Sequence, residues 1–143
     1  KVSMKVLIDT NVVLDVILER EPFVESATAL FALIEDNEIQ GYIAATTITN
    51  IFYVVRKLRS REVALQAISQ LLRGLNLCDV GYQVIQQALS MDLKDFEDGV
   101  QLACAIAYDL DAIATRNTAD FRGAEFVILS ADELIAQFSA DEP

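Results

Sequence analysis

Histidine is absent from this 143-residue sequence. That excludes an imidazole general base, histidine metal ligands and a Ser-His-Asp nucleophile system. Cysteine occurs twice, at Cys78 and Cys104, each in an apolar run. Without CxxC spacing the pair makes neither a zinc site nor a disulfide framework, and it reads as two small core residues. Two prolines and five glycines are too few for long flexible joints, and no linker, internal repeat or low-complexity tract is visible. No run of about 18 uncharged apolar residues occurs, so no membrane span is expected. Asp9 and Asp15 interrupt the apolar part of the N-terminal region, which therefore does not read as a secretory signal. The cytoplasm is the expected location. Positive charge is scarce too: 11 basic residues face 22 acidic ones, a formal charge of −11. That argues against coating nucleic acid through bulk charge. It permits a metal-dependent enzyme with acids around cations, and it permits a local basic patch: Arg56, Lys57, Arg59 and Arg61 fall within six residues.

What is present is a large apolar fraction, 53%, well above that of a disordered chain. The length predicts one domain, residues 1–143, that buries roughly 68–70% of its unfolded surface without disulfide or structural metal. Val6-Leu7-Ile8 reads as a strand buried on both faces. It ends abruptly in Asp9-Thr10-Asn11 and passes into a helix reaching about Glu19. Pro22 suits the first turn of a second helix, over residues 23–36. Strands are expected at 42–44, 75–80, 111–115 and 126–129. Helices are expected from Thr46/Thr47, from Ser60 (Val63, Ala67 and Leu71 inside), at 82–90 and at 96–109. Ser130 and Glu133 predict a capping box for a last helix containing Leu134, Ile135 and Phe138. Strands alternating with helices imply a three-layer α/β/α sandwich around a parallel sheet of four to five strands.

Four polar clusters fall at element ends: Asp9-Thr10-Asn11, residues 46–50, Asp95-Phe96-Glu97-Asp98, and residues 115–121. Two follow strands of one parallel sheet and open on the same edge, where open α/β sheets bind ligands. Each acid has a second reading. Asp9 or Thr10 caps a helix. Asp95 caps the next one, with an acid three residues on. Asp98, opposite an apolar stripe of Val100, Ala103, Cys104 and Ala107, offsets the helix dipole. If Asp9, Asp98 and Asp120 converge instead, carboxylates about 4 Å apart repel by roughly 4 kcal/mol at an effective dielectric of 20. One must then protonate, or a cation joins them. Oxygen donors without His or Cys select Mg²⁺ or Mn²⁺. In the helix from Thr46, Asn50 falls on the far side of a stripe of Ile48, Ile51, Phe52, Val55 and Leu58. Tyr53 shares that side, half-buried or stacked on a base.

Three motifs carry a resemblance: L-I-D-T-N near the start, D-F-E-D-x-x-Q-x-A-x-A in an Ala-rich helix, and A-T-R-N-x-x-D-F after a late strand. Together, in order and over nearly the whole chain, they resemble the PIN domain, most of all single-domain bacterial forms related to VapC toxins of toxin–antitoxin pairs. The resemblance implies a metal-dependent endoribonuclease, often homodimeric, whose site an antitoxin protein occupies. It implies Asp9 and Asp98 as Mg²⁺ or Mn²⁺ ligands and Asp120 as a further catalytic acid. Asn11, Thr115 and Asn117 match supporting positions. The usual pattern carries Glu where this chain has Asn50, so the resemblance implies fewer fixed charges, for which Asp95 is a candidate substitute. Arg56, Lys57 and Arg116 are candidate RNA contacts or simply solvated charges. Two other readings stay open: a PIN-like binding or dimerisation module with little catalysis, and an aspartyl phosphohydrolase. The latter would want an acid where Asn11 stands.

Overall fold

The computed structural model describes residues 3–140; the expected domain limits, 1 and 143, lie outside them. In chain order the elements are β1 (Met4–Ile8), α1 (Thr10–Ile17), α2 (Val24–Glu35), β2 (Ile39–Ala44), α3 (Ala45–Leu58), α4 (Arg61–Gly74), β3 (Asn76–Cys78), α5 (Tyr82–Ser90), α6 (Phe96–Ala107), β4 (Ala112–Ala114), β5 (Ile128–Leu129) and α7 (Ala131–Ala140). A 3₁₀ turn, Thr118–Phe121, precedes β5. The strands form one sheet in the order β3-β2-β1-β4-β5, with every pairing parallel.

β1 is central because it is apolar on both faces. Val6 and Ile8 join one core cluster, with side chains from α1, α2, α3, α4 and α7. Leu7, pointing the other way as strand alternation requires, joins a second cluster with α5 and α6. β4 repeats the division: Ala112 and Ala114 face the first layer, Ile113 the second. The result is the expected α/β/α sandwich of five parallel strands. The chain runs from β1 outward to β2 and β3, then crosses to β4 and β5. The order therefore switches between β1 and β4, where the crevice for a ligand forms in such sheets.

Several element limits differ from the sequence reading. α1, α2 and α6 stop short of the expected ends. Each closes in a Schellman motif whose turning residue has positive φ, namely Glu19 (52°), Asn37 (60°) and Asp109 (54°). In α1, for example, Arg20 N donates to Asp15 O at 3.0 Å and Glu19 N to Val16 O at 3.3 Å. None of the three is glycine, so the usual stop signal is missing. Pro22 lies in the turn before α2, after a cis peptide bond, because the Arg20 carbonyl starts that helix by accepting from Val24 N at 2.8 Å. α3 begins at Ala45, which leaves Thr46 and Thr47 inside its first turn. β2 starts earlier than expected, whereas β3, β4 and β5 are shorter. Leu58 and Val63, placed in apolar stripes by spacing, are exposed, at 54% and 40%; both sit beside the turn where α3 gives way to α4. Ala107 is exposed as well, while residues 99–105 of α6 are all buried.

The capping box forms, with Ser130 N donating to Glu133 Oε1 at 2.9 Å and Glu133 N to Ser130 Oγ at 3.0 Å. Cys78 and Cys104 are free and buried. Burial pushes their thiols up to about 12 and about 11, with Cys104 and Asp79 adding to the rise at Cys78, so both stay protonated core groups. Among the described residues no helix is long and apolar enough to cross a membrane.

Candidate active site

The register of β1 on β4 pairs Ile8 with Ala114. The next residue of each strand, Asp9 and Thr115, therefore emerges at the same carboxyl edge. The Asp9 N–H donates to the Ala114 carbonyl at 2.9 Å. Its side chain, 6% exposed, is held at both oxygens: Oδ1 accepts from Gln101 Nε2 at 3.0 Å, and Oδ2 accepts from Thr115 Oγ1 at 2.7 Å. The Thr115 hydroxyl itself accepts from Asn117 N at 3.2 Å. Each carboxylate oxygen keeps a further lone-pair direction. The two hydrogen bonds fix the rotamer and leave the group able to bind a cation.

Thr10 extends the network. Its N–H donates to Gln101 Oε1 at 3.3 Å, so one buried amide reads both Asp9 and Thr10. Its hydroxyl donates to Glu97 Oε1 at 2.9 Å and lies 2.8 Å from the buried Thr47 hydroxyl of α3. With its single proton given to Glu97, Thr10 accepts from Thr47. The first turns of α1, α3 and α6 are thereby joined around the end of β1.

α6 delivers most of the charge. Asp95 is its N-cap, accepting from Glu97 N at 2.8 Å and Asp98 N at 3.4 Å; the capping role expected for it is realised. Gly99 lets the helix start close to α5, since a Cβ there would sit 3.4 Å from the Ala88 carbonyl oxygen. Asp98 is half-buried. Burial raises its carboxyl from the ordinary range to about 7, and the charges of Asp9, Asp95, Asp120 and Glu97 add to the rise. Asp98 thus feels four other acids from its place at the start of α6. Asp120, in the exposed 3₁₀ turn, belongs to the group through its effect on Asp98.

Other expected residues stand elsewhere. The Asn11 amide oxygen accepts from Arg20 Nη2 at 3.3 Å, not from a partner at Asp9. Asn50 is half-buried one turn beyond Thr47 and makes no side-chain hydrogen bond among the described residues. Arg116 is engaged within the protein. Its guanidinium lies 4.0 Å from the centre of the Phe23 ring, and its Nε is 3.5 Å from Asp15 Oδ2. Asp15, buried in α1, pairs also with Arg20 at 2.8 Å. A buried carboxylate needs such partners, and this one takes the charge expected to face RNA. Arg56 and Lys57 are exposed at the far end of α3, about 14 Å along the helix from Thr47 at 1.5 Å per residue. Tyr53 is 62% exposed beside them, with Arg56 5.7 Å from its ring centre.

Sequence reasoning assigned no role to Thr47, Glu97 or Gln101. A usable signal existed for two of them: Glu97 and Gln101 are four apart, hence on one helical face, and Gln101 is three beyond Asp98. Thr47 was marked only as a helix start and as a member of the polar cluster of residues 46–50.

The donors assembled here are carboxylate, hydroxyl and amide oxygens. That chemistry fits a hard divalent cation. Among the described residues no three acids or thiols are close enough to form a ready-made cage. Fold and site together define a parallel α/β protein with acids gathered at its topological switch point. Residues 5–119 match the PIN domain family, and the chain belongs to that family. Over 142 residues it is 22% identical to Ribonuclease VapC1 of Aquifex aeolicus, covering 96% of this chain and 97% of that protein. Many solved structures share the fold, among them the following two. A toxin–antitoxin complex from Klebsiella pneumoniae superposes with a TM-score of 0.67 at 22% identity, covering 88% of this chain and 97% of that one. VapC20 of Mycobacterium tuberculosis, described as a sarcin-ricin loop cleaving toxin, gives 0.68 at 15% identity, covering 85% and 96%.

Proposed function

We propose that this protein is a metal-dependent endoribonuclease of the VapC type, the toxin of a toxin–antitoxin pair, using Mg²⁺ or Mn²⁺. The observation that carries this reading is the buried Asp9 carboxylate, held by Gln101 and Thr115 at the carboxyl edge of β1, with Asp98 close enough to feel its charge: burial first, then the charges of Asp9, Asp95, Asp120 and Glu97, raise the Asp98 carboxyl to about 7. A site with so much uncompensated charge favours a cation. The ribonuclease and toxin–antitoxin descriptions of the similar proteins support the substrate and the setting.

In this reading Asp9 and Asp98 hold the ion. Bound there, it supplies neutralisation of phosphate charge and a water of lowered pKa. Thr115 and Gln101 keep the Asp9 carboxylate in one orientation. Asp120, whose charge reaches Asp98 from the exposed turn, would take a proton from, or orient, a water at the scissile phosphate. Asp95 fixes the first turn of α6, and Asn117 holds the Thr115 hydroxyl in its donating direction. Asn50 offers an uncharged oxygen. Asn11 acts one step back, through Arg20 and the start of α1. Arg56 and Lys57 would meet phosphates of the RNA away from the cleavage point. The reading also implies action in the cytoplasm, an antitoxin that covers the acidic crevice, and a homodimer.

The test is cleavage of structured RNA with Mg²⁺ or Mn²⁺, with EDTA, and in Asp9→Asn. Chelation and the substitution should each lower the rate by about a hundredfold or more. Cleavage that survives both overturns the proposal. Asn50, where the usual pattern carries a charge, favours one competitor, a binding module without catalysis. Calorimetric titration with Mn²⁺ that gives no heat, with no cleavage of any RNA, would establish that module instead.

A further inference from the structure

A cavity of about 320 Å³ opens between the α1–α2 turn, the residues after β4 and the start of α7. It borders the Asp9 site, because Arg116 in its wall follows Thr115, whose hydroxyl holds the Asp9 carboxylate. The Arg116 guanidinium is stacked on the Phe23 ring, 4.0 Å from its centre. Its Nε is buried without a hydrogen-bond partner, 3.5 Å from Asp15 Oδ2, and among the described residues its terminal nitrogens make no hydrogen bond. The blander role for Arg116 is charge balance at Asp15. Arg20 already fills that role at closer range, its Nε donating to Asp15 Oδ1 at 2.8 Å. In the same wall Asp132 Oδ1 accepts from the Ser26 hydroxyl, and among the described residues Asp132 Oδ2 has no hydrogen-bond partner. The charged lining is therefore Arg116 against Asp15 and Asp132, a balance that disfavours a phosphate. It suits a neutral, flat ligand with acceptors for a guanidinium fork and donors for a carboxylate.

We infer that this cavity takes a guanine base of the RNA substrate, next to the scissile phosphate. Guanine offers O6 and N7 to a guanidinium fork, the commonest specific arginine–base contact, and N1–H and N2–H to a carboxylate. Adenine lacks the paired acceptors on that edge, and cytosine and uracil lack the paired donors. Single-stranded RNA supplies splayed bases that such stacked side chains can read. The inference rests on the ribonuclease reading and specifies the base that its site selects.

The test is fluorescence anisotropy of end-labelled hexauridylate and of hexamers carrying one central guanosine, adenosine or cytidine, with the full chain in EDTA. The guanosine hexamer should bind at least about tenfold more tightly than the others. Arg116→Lys keeps a positive charge near Asp15 but removes the fork. Asp132→Asn keeps an oxygen for Ser26 but loses the carboxylate. Each should cut the preference to about twofold or less, with melting temperature measured alongside. If Arg116→Lys fails to fold, Asp132→Asn decides. Equal or absent binding of the four hexamers, preference for another base, or a guanine preference that a folded variant retains overturns the pocket. These results leave the ribonuclease reading standing, because cleavage with Mn²⁺ is assayed separately. Guanine preference without any cleavage keeps the pocket and overturns the catalytic reading. No binding and no cleavage overturns both.

Discussion

Asp98 sets the chemistry of the crevice. An acid whose folded pKa lies above its unfolded value binds its proton more tightly in the native state, so it favours folding only while protonated. Below the ordinary aspartate pKa that advantage makes no difference. Above it the unfolded chain ionises while the native carboxyl keeps its proton up to about 7, so stability falls across this window and levels off once the native group ionises too. Solvent screening of a half-exposed carboxylate limits the effect to about 2 kcal/mol. Metal-free protein should therefore lose melting temperature between about pH 4 and pH 7 on account of this group. Asp98→Asn should recover that loss at pH 8 and change nothing at pH 4. Melting curves in EDTA across this range check it, and saturating Mn²⁺ should flatten the wild-type profile.

At the scale of the element, helix starts carry the site and helix ends carry the strain. α1, α3 and α6 meet by their first turns, joined by the relay from Thr47 through Thr10 to Glu97. Their partly positive N-termini face the acids, which suits carboxylates held close together. At the other end of α1, Glu19 adopts a left-handed conformation (φ 52°) that costs an L-residue with a side chain about 1 kcal/mol. Glu19→Gly should gain about 0.5–1 kcal/mol, measured by chemical denaturation, with Mn²⁺ affinity unchanged. Legibility followed the same division. The Ser130–Glu133 box was readable because the bonding groups are three residues apart and local. The ends of α1, α2 and α6 were not, because Glu19, Asn37 and Asp109 replace the glycine that announces a stop.

For the whole molecule, the sheet is the frame that makes the site rigid. β2 lies between β1 and β3, and the close approach of neighbouring layers there depends on Gly41. A Cβ at that position would fall 2.6 Å from Leu75 Cδ2 and 2.8 Å from Ile34 Cδ1. Both neighbours are buried, but both contacts are ends of side chains that can turn. Gly41→Ala should therefore destabilise by about 1 kcal/mol. The site hangs on β1, β4 and α6, so Mn²⁺ affinity should hold. Parallel measurement of unfolding free energy and Mn²⁺ affinity would show whether frame and site are energetically separate.

By itself the sequence determined the layers. Alternating strand and helix patterns, with Val6, Leu7 and Ile8 apolar on both faces, admit little besides a parallel sheet between helices. It also marked Asp9 and Asp98 as acids at the right kind of element boundary. Only the tertiary structure decided which polar groups pair. Asp9 meets Thr115 because Ile8 and Ala114 are in register, and Gln101 reaches Asp9 from 92 residues away. Arg116 is drawn from the surface to Asp15 because a buried carboxylate requires a counter-charge. Apolar periodicity is a local property of the chain. Hydrogen bonds and ion pairs between distant residues depend on a register and a crossover that no local window contains.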